Sequence, residues 1–146
     1  MLKQLTVFLE NRPGRMEEVT AVLASGGINI HALSIADTTD FGILRMIVSA
    51  PDKAVTILKE NGFMVKTNGV IAIPMGHSPG SLHRILLELK NLDISIEYMY
   101  AFTSRHKDYD AIVIFSIGNQ EAALAKLKSS GFPVLDDDFL DQLNEA

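Results

Sequence analysis

The chain repeats itself, and the repeat decides what it can fold into. Pro13-Gly14 recurs as Pro79-Gly80. The same offset carries Met16, Val19 and Leu23 onto Leu82, Ile85 and Leu89, and Ile28 and Ile30 onto Ile94 and Ile96. Gly62-Phe63 recurs as Gly131-Phe132 at a slightly larger offset, the extra residues falling in the polar stretch Ser104-Arg105-His106-Lys107-Asp108-Tyr109. That stretch reads as a lengthened hairpin loop in one copy of a duplicated unit. Self-similarity at a fixed period marks repeated structural units, here residues 1–68 and 69–146.

Each unit reads as strand, helix, strand, strand, helix, strand. Leu5, Val7 and Leu9 alternate with Gln4, Thr6 and Glu10, the period of a half-buried strand. Asn11-Arg12-Pro13-Gly14 breaks it, and Met16, Val19 and Leu23 take up helical spacing until Gly26-Gly27 stops the helix. Strands follow over 28–37 and 43–49, with Thr38-Thr39-Asp40 as turn residues between them. Pro51 opens a second helix, where its missing N–H costs nothing, with Ala54, Val55 and Leu58 inward. A short strand over 63–66 closes the unit. The second unit places strands at 69–75, 94–103, 111–117 and 134–135, and helices at 82–92 and 121–130. Asp136-Asp137-Asp138-Phe139-Leu140 reads as a last turn with an aspartate N-cap. The expected class is α+β, two ferredoxin-like sandwiches with both helices on one face of an antiparallel sheet.

Composition removes several functions. A hydrophobic share of 47% with 21% charged residues is that of a globular protein. The net charge of −5 opposes nucleic-acid binding, which needs clustered Lys and Arg. There is no cysteine, hence no disulfide, thiolate nucleophile or thiolate-bound zinc. Met1-Leu2-Lys3-Gln4-Leu5 lacks a signal-peptide core, and no apolar run nears the roughly 18 residues of a membrane span. A cytoplasmic protein without membrane contact is expected. His31, His77, His83 and His106 lack the spacing of a helical metal site, so no metal or other cofactor is implied. Tyr98, Tyr100 and Phe102 share a strand face, but without basic neighbours they fit packing against small residues such as Ala32, Ser34 and Ala36 better than RNA stacking.

Glu10-Asn11-Arg12-Pro13-Gly14-Arg15-Met16 followed by Gly27-Ile28-Asn29-Ile30 resembles the signature of the ACT domain, in which an N-x-P-G turn opens the first helix and a G-[IF]-N-I segment opens the second strand. The second copy keeps Ser78-Pro79-Gly80-Ser81-Leu82 but has His77 in place of Asn11 and Ser95 in place of Asn29. The whole chain is similar to stand-alone tandem ACT proteins, with Phe41-Gly42-Ile43-Leu44-Arg45 and Glu97-Tyr98-Met99-Tyr100 as further matching segments. The first unit also resembles the regulatory subunit of acetolactate synthase. The resemblance implies a non-catalytic regulator that binds a free amino acid, alone or on behalf of a partner enzyme. It places the ligand between modules, against the turn of one and the second strand of the other. The candidate ligand-binding residues are then Asn11, Arg12, Pro13, Gly14, Arg15, Met16, Asn29 and Ile30 in the first copy. In the second they are His77, Pro79, Gly80, Ser81, Leu82 and Ser95.

The chemistry of those residues supports the same reading. A strand-to-helix turn exposes unpaired N–H groups at the positive end of a helix dipole, which suits a carboxylate. Glycine lets the backbone approach a ligand, and an asparagine amide can accept from an ammonium or donate to a carboxylate. The competing reading is a small acylphosphatase-like hydrolase, using Asn11, Arg12 and Arg15 at the helix start. Against it, neither paired carboxylates nor an activated nucleophile lie nearby. Ile28 and Ile30 alternate with Leu33 and Ile35, and Ile43 and Ile47 with Leu44, Met46 and Val48, so the sheet is expected to be apolar on both faces. A homodimer covering the helix-free face follows as an expectation.

Overall fold

The computed structural model describes residues 1–38 and 40–145; the turn expected at Thr38-Thr39-Asp40 lies partly outside them. The chain divides into two compact units, one of Lys3–Asn68 and one of Met1–Leu2 with Gly69–Ala146.

In the first unit, strand β1 (Leu2–Glu10) leads through the Pro13-Gly14 turn to helix α1 (Arg15–Ser25), then β2 (Ile30–Asp37), β3 (Phe41–Val48) and α2 (Pro51–Glu60). β3 lies between β1 and β2, antiparallel to both. Paired residues point to the same face, so Leu5 with Met46 and Val7 with Leu44 aim at the helices. There they join Val19, Leu23, Ala54, Leu58 and Phe63 in a closed core. The opposite face is not wet, as simple alternation implied. Gln4 and Thr6 are buried; Asn68 Oδ1 accepts from Gln4 Nε2 at 3.3 Å and from Thr6 Oγ1 at 3.2 Å. Hydrogen bonding makes that burial tolerable.

β4 (Met64–Met75) is one strand, where separate strands over 63–66 and 69–75 were expected. Gly69 is not among the glycines with positive φ, so the backbone continues extended through it and joins the two expected segments. The rest of β4 pairs with β6 (Ala111–Ile117), which pairs in turn with β5 (Ile96–Thr103), all antiparallel. Helices α3 (Ser81–Asn91) and α4 (Gln120–Ser129) cover one face, with Ile71, Ile73, Ile85, Leu89, Val113, Phe115 and Leu127 in the core. The strand expected at 134–135 is a single bridge from Leu135 to Ala72.

Two further expectations need correction. The tail is not a lone turn but an eight-residue helix, α5 (Asp138–Glu145). Phe139 and Leu143, one helical turn apart, are both buried, and Tyr109 meets the Phe139 ring edge-on at 5.9 Å. The apolar residues of β2 also do not divide between two faces. Ile30 pairs with Val48 and Ala32 with Ile47, leaving His31 as an extra residue. This β-bulge puts Ile30, Leu33 and Ile35 on the same, helix-facing side, while Ala32, Ser34 and Ala36 face the other way. The second unit repeats it: Ile96 pairs with Ile117 and Tyr98 with Ser116, leaving Glu97 extra. Tyr98, Tyr100 and Phe102 consequently share the helix-free face. In β3 the expected alternation holds, with Leu44, Met46 and Val48 in the helix-side core and Ile47 buried on the other face.

Candidate functional site

The two Pro-Gly turns have the same backbone. Gly14 and Gly80 each adopt φ 88° and ψ −9° as the residue preceding a helix. A Cβ at either position would meet nothing within 4 Å, so glycine is demanded by the left-handed angle rather than by crowding. The first helical hydrogen bonds run from Glu18 N–H to Gly14 O and from Arg84 N–H to Gly80 O, both 3.0 Å. No side chain caps either helix. The N–H groups one and two residues ahead of those donors therefore lack intrahelical acceptors and lie at the positive end of the helix.

Around the first turn, Asn11, Arg12, Pro13 and Gly14 are exposed. Arg12 Nε lies 3.2 Å from Glu10 Oε2, an exposed pair of small energetic weight. Arg15 is largely buried; its Nη1 donates to Glu18 Oε2 at 2.6 Å, and its Nε is buried without a hydrogen-bond partner. The guanidinium stacks 4.3 Å from the ring centroid of Phe63. Met16 and Ile30 pack against the core, which gives both a structural role. Beside this turn a groove of about 230 Å³ is lined by Phe8, Glu10, Arg15, Phe41, Gly62 and Met64.

Around the second turn, His77, Pro79 and Gly80 are exposed and Leu82 packs on the core. Ser81 is buried, its Oγ 2.9 Å from Ser78 Oγ and 3.5 Å from Arg84 Nη2. A cavity of about 420 Å³ opens here between Pro74, Met75, Ser81, Arg84, Glu88 and Phe132. Arg84, Glu88 and Phe132 escaped the sequence reading. The repeat offsets could have found them, since they map onto Glu18, Val22 and Phe63.

Asn29 and Ser95 stand elsewhere in their modules. Asn29 follows the C-terminal end of α1, whose 11 residues span about 16 Å, while Pro13-Gly14 precedes its start. The Asn29 side chain is exposed, and its backbone is tied to Ser49: Asn29 N–H donates to Ser49 Oγ and Ser49 N–H to Asn29 O, both 2.9 Å. Ser95 lines a separate cavity of about 230 Å³ with Asp93, Asn119 and Lys126. Within one module, then, turn and second strand do not converge. Among the described residues no group of three His, Asp or Glu could hold a metal, and no helix is long and apolar enough to cross a membrane.

A family model described as an ACT domain pair matches residues 1–142. The chain belongs to that family. The ACT pair is also similar to a solved structure, protein BT0572 from Bacteroides thetaiotaomicron, at 42% identity over 95% of this chain and 94% of that one, with a TM-score of 0.85. It shares its fold with the ligand-free regulatory subunit of aspartate kinase from Thermus thermophilus, at 17% identity over 88% of this chain and 91% of that one, TM-score 0.60. The corresponding subunit from Thermus flavus is similar at 15% identity over 88% and 91%, TM-score 0.55. Among curated proteins none matches. The ACT pair points to a regulatory, ligand-binding role.

Proposed function

We propose that this ACT pair is a non-catalytic sensor of a free amino acid, working in the cytoplasm by itself or on a partner enzyme. The observation that carries the reading is the pair of uncapped helix starts at Gly14 and Gly80, identical in dihedral angle and each flanked by a cavity. Free N–H groups suit the carboxylate, and the carboxylates of Glu10 and Glu88 at the two cavities suit an ammonium. The hydrolase reading loses its support here. Arg15 is held by Glu18 and Phe63, so of the two guanidinium groups that reading used, Arg12 alone remains exposed at the turn.

Because the turn and Asn29 lie at opposite ends of α1, one module alone does not bring both to a ligand. A homodimer is part of the proposal, supported by Leu33 and Ile35, 46% and 55% exposed on the edge strand β2, where apolar exposure invites pairing. A thermal-shift screen of the full chain against the standard amino acids tests the reading. A ligand at about a hundred times its Kd adds roughly 2.7 kcal/mol to stability, and a flat response across the set removes the sensor.

A further inference from the structure

The two turns share a backbone but not a filling. The offset that superposes Pro13-Gly14 on Pro79-Gly80 carries Arg15 onto Ser81, Glu18 onto Arg84, Ala21 onto Leu87 and Val22 onto Glu88. Gly62-Phe63 becomes Gly131-Phe132. In the first module the Arg15 guanidinium lies on the Phe63 ring and is held there by Glu18. In the second, Ser81 is too short to reach Phe132, and the space beside that ring is open as the cavity of about 420 Å³. Its size falls within the roughly 300–1,000 Å³ of small-molecule pockets.

From this asymmetry we infer that the second module, not the first, holds the amino-acid pocket, and that it takes an α-amino acid with an apolar, preferably flat, side chain. The inference rests on the amino-acid-binding reading above. In module one the planar guanidinium of Arg15 lies over the equivalent ring, Phe63. The charge beside the slot is reversed in module two, because Arg84 stands where Glu18 stood. A guanidinium-like cation is therefore disfavoured and a carboxylate favoured, held in the charge-assisted, two-pronged way that arginine offers. Arg84 Nη2, 3.5 Å from the buried Ser81 Oγ, is turned toward the cavity. Glu88, one helical turn further along α3, faces the same cavity and supplies the counter-charge for the ammonium. Met75, Ile85, Leu87 and Phe132 form the remaining wall, and desolvation against them penalises a charged side chain.

Calorimetric titration of the full chain with L-phenylalanine, L-leucine, L-aspartate and L-lysine tests this. The expected result is binding of the first two, with the charged pair at least tenfold weaker. Arg84→Gln, at an exposed position, weakens binding at least tenfold and leaves the circular dichroism spectrum unchanged. Ser81→Arg combined with Arg84→Glu rebuilds the first module's arginine–glutamate pair and abolishes binding by filling the slot. If that double variant fails to fold, Arg84→Gln alone decides. Unaltered affinity in Arg84→Gln overturns the pocket but leaves an amino-acid sensor standing. Binding of aspartate or lysine in preference to phenylalanine and leucine overturns the ligand class. Absence of binding by all four overturns the pocket, and a flat thermal-shift response across the standard amino acids overturns the reading it rests on as well.

Discussion

The Arg15 guanidinium lies 4.3 Å from the centroid of the Phe63 ring while its Nη1 bonds Glu18 at 2.6 Å. The contact ties the start of α1 to the loop that follows α2, two segments far apart in sequence. A cation over an aromatic ring contributes about 0.5–2 kcal/mol. Arg15→Ala is expected to lower stability by about 1–2 kcal/mol in urea denaturation, and Arg15→Lys to recover only part of it, because the planar stacking is lost. Equal stability of Arg15→Ala and the parent chain would show the stack to be idle.

Gly14→Ala and Gly80→Ala are each expected to cost about 1–2 kcal/mol. Both glycines have φ 88° and neither Cβ would meet another atom within 4 Å. The cost is backbone strain alone, so the two variants should match within experimental error. A much larger loss at one turn would reveal crowding there.

Asn68→Ala removes the acceptor that Gln4 and Thr6 share, since Asn68 Oδ1 accepts from both, and leaves the Gln4–Thr6 contact of 3.4 Å in place. Losing hydrogen bonds of this kind costs about 0.5–1.5 kcal/mol each, read as a lower denaturation midpoint at unchanged slope. An Asn68→Ala chain as stable as the parent means that water replaces the amide.

Asn29 separates a structural role from a binding one. Its side chain is exposed and its backbone is held by Ser49, so Asn29→Ala should change stability by less than about 0.5 kcal/mol. If Asn29 belongs to a ligand site, binding weakens by about 1–3 kcal/mol. Calorimetry on the folded variant settles the matter: unchanged affinity removes Asn29 from the site.

Ile35→Lys places a charge on the exposed edge of β2. Light scattering is expected to give the parent chain twice the 16.0 kDa of one copy and the variant a single copy, as charged edges resist pairing. A monomeric parent chain ends the dimer proposal.

The parts legible in the sequence were those decided locally. Pro13-Gly14 and Pro79-Gly80 announce their turns because glycine at positive φ is a one-residue requirement. Helices α1 and α3 follow from three- and four-residue spacing. What escaped depends on residues far away in the chain. Strands over 63–66 and 69–75 read as separate, yet they merge into one extended β4. Leu143 continues the helical period of Phe139, a repeat short enough to pass for a single turn. The difference between the turn pockets was visible as Arg15 against Ser81, but its consequence depends on Phe63 and Phe132, contributed from beyond the second helix of each module. His31 carries no mark of being the extra residue in β2.

That extra residue governs how these modules can be recombined. A chimera that exchanges β2 for β5 must carry His31 or Glu97 along with the strand it belongs to. Joined so that the bulge is kept, the graft presents its residues to the helices in the original phase. Joined one residue short, every side chain beyond the junction changes sides: Leu33 and Ile35 would turn away from the helices, and Ala32 and Ser34 would turn toward them. The seam for engineering these two modules is therefore upstream of the bulge, before Ile30 and Ile96.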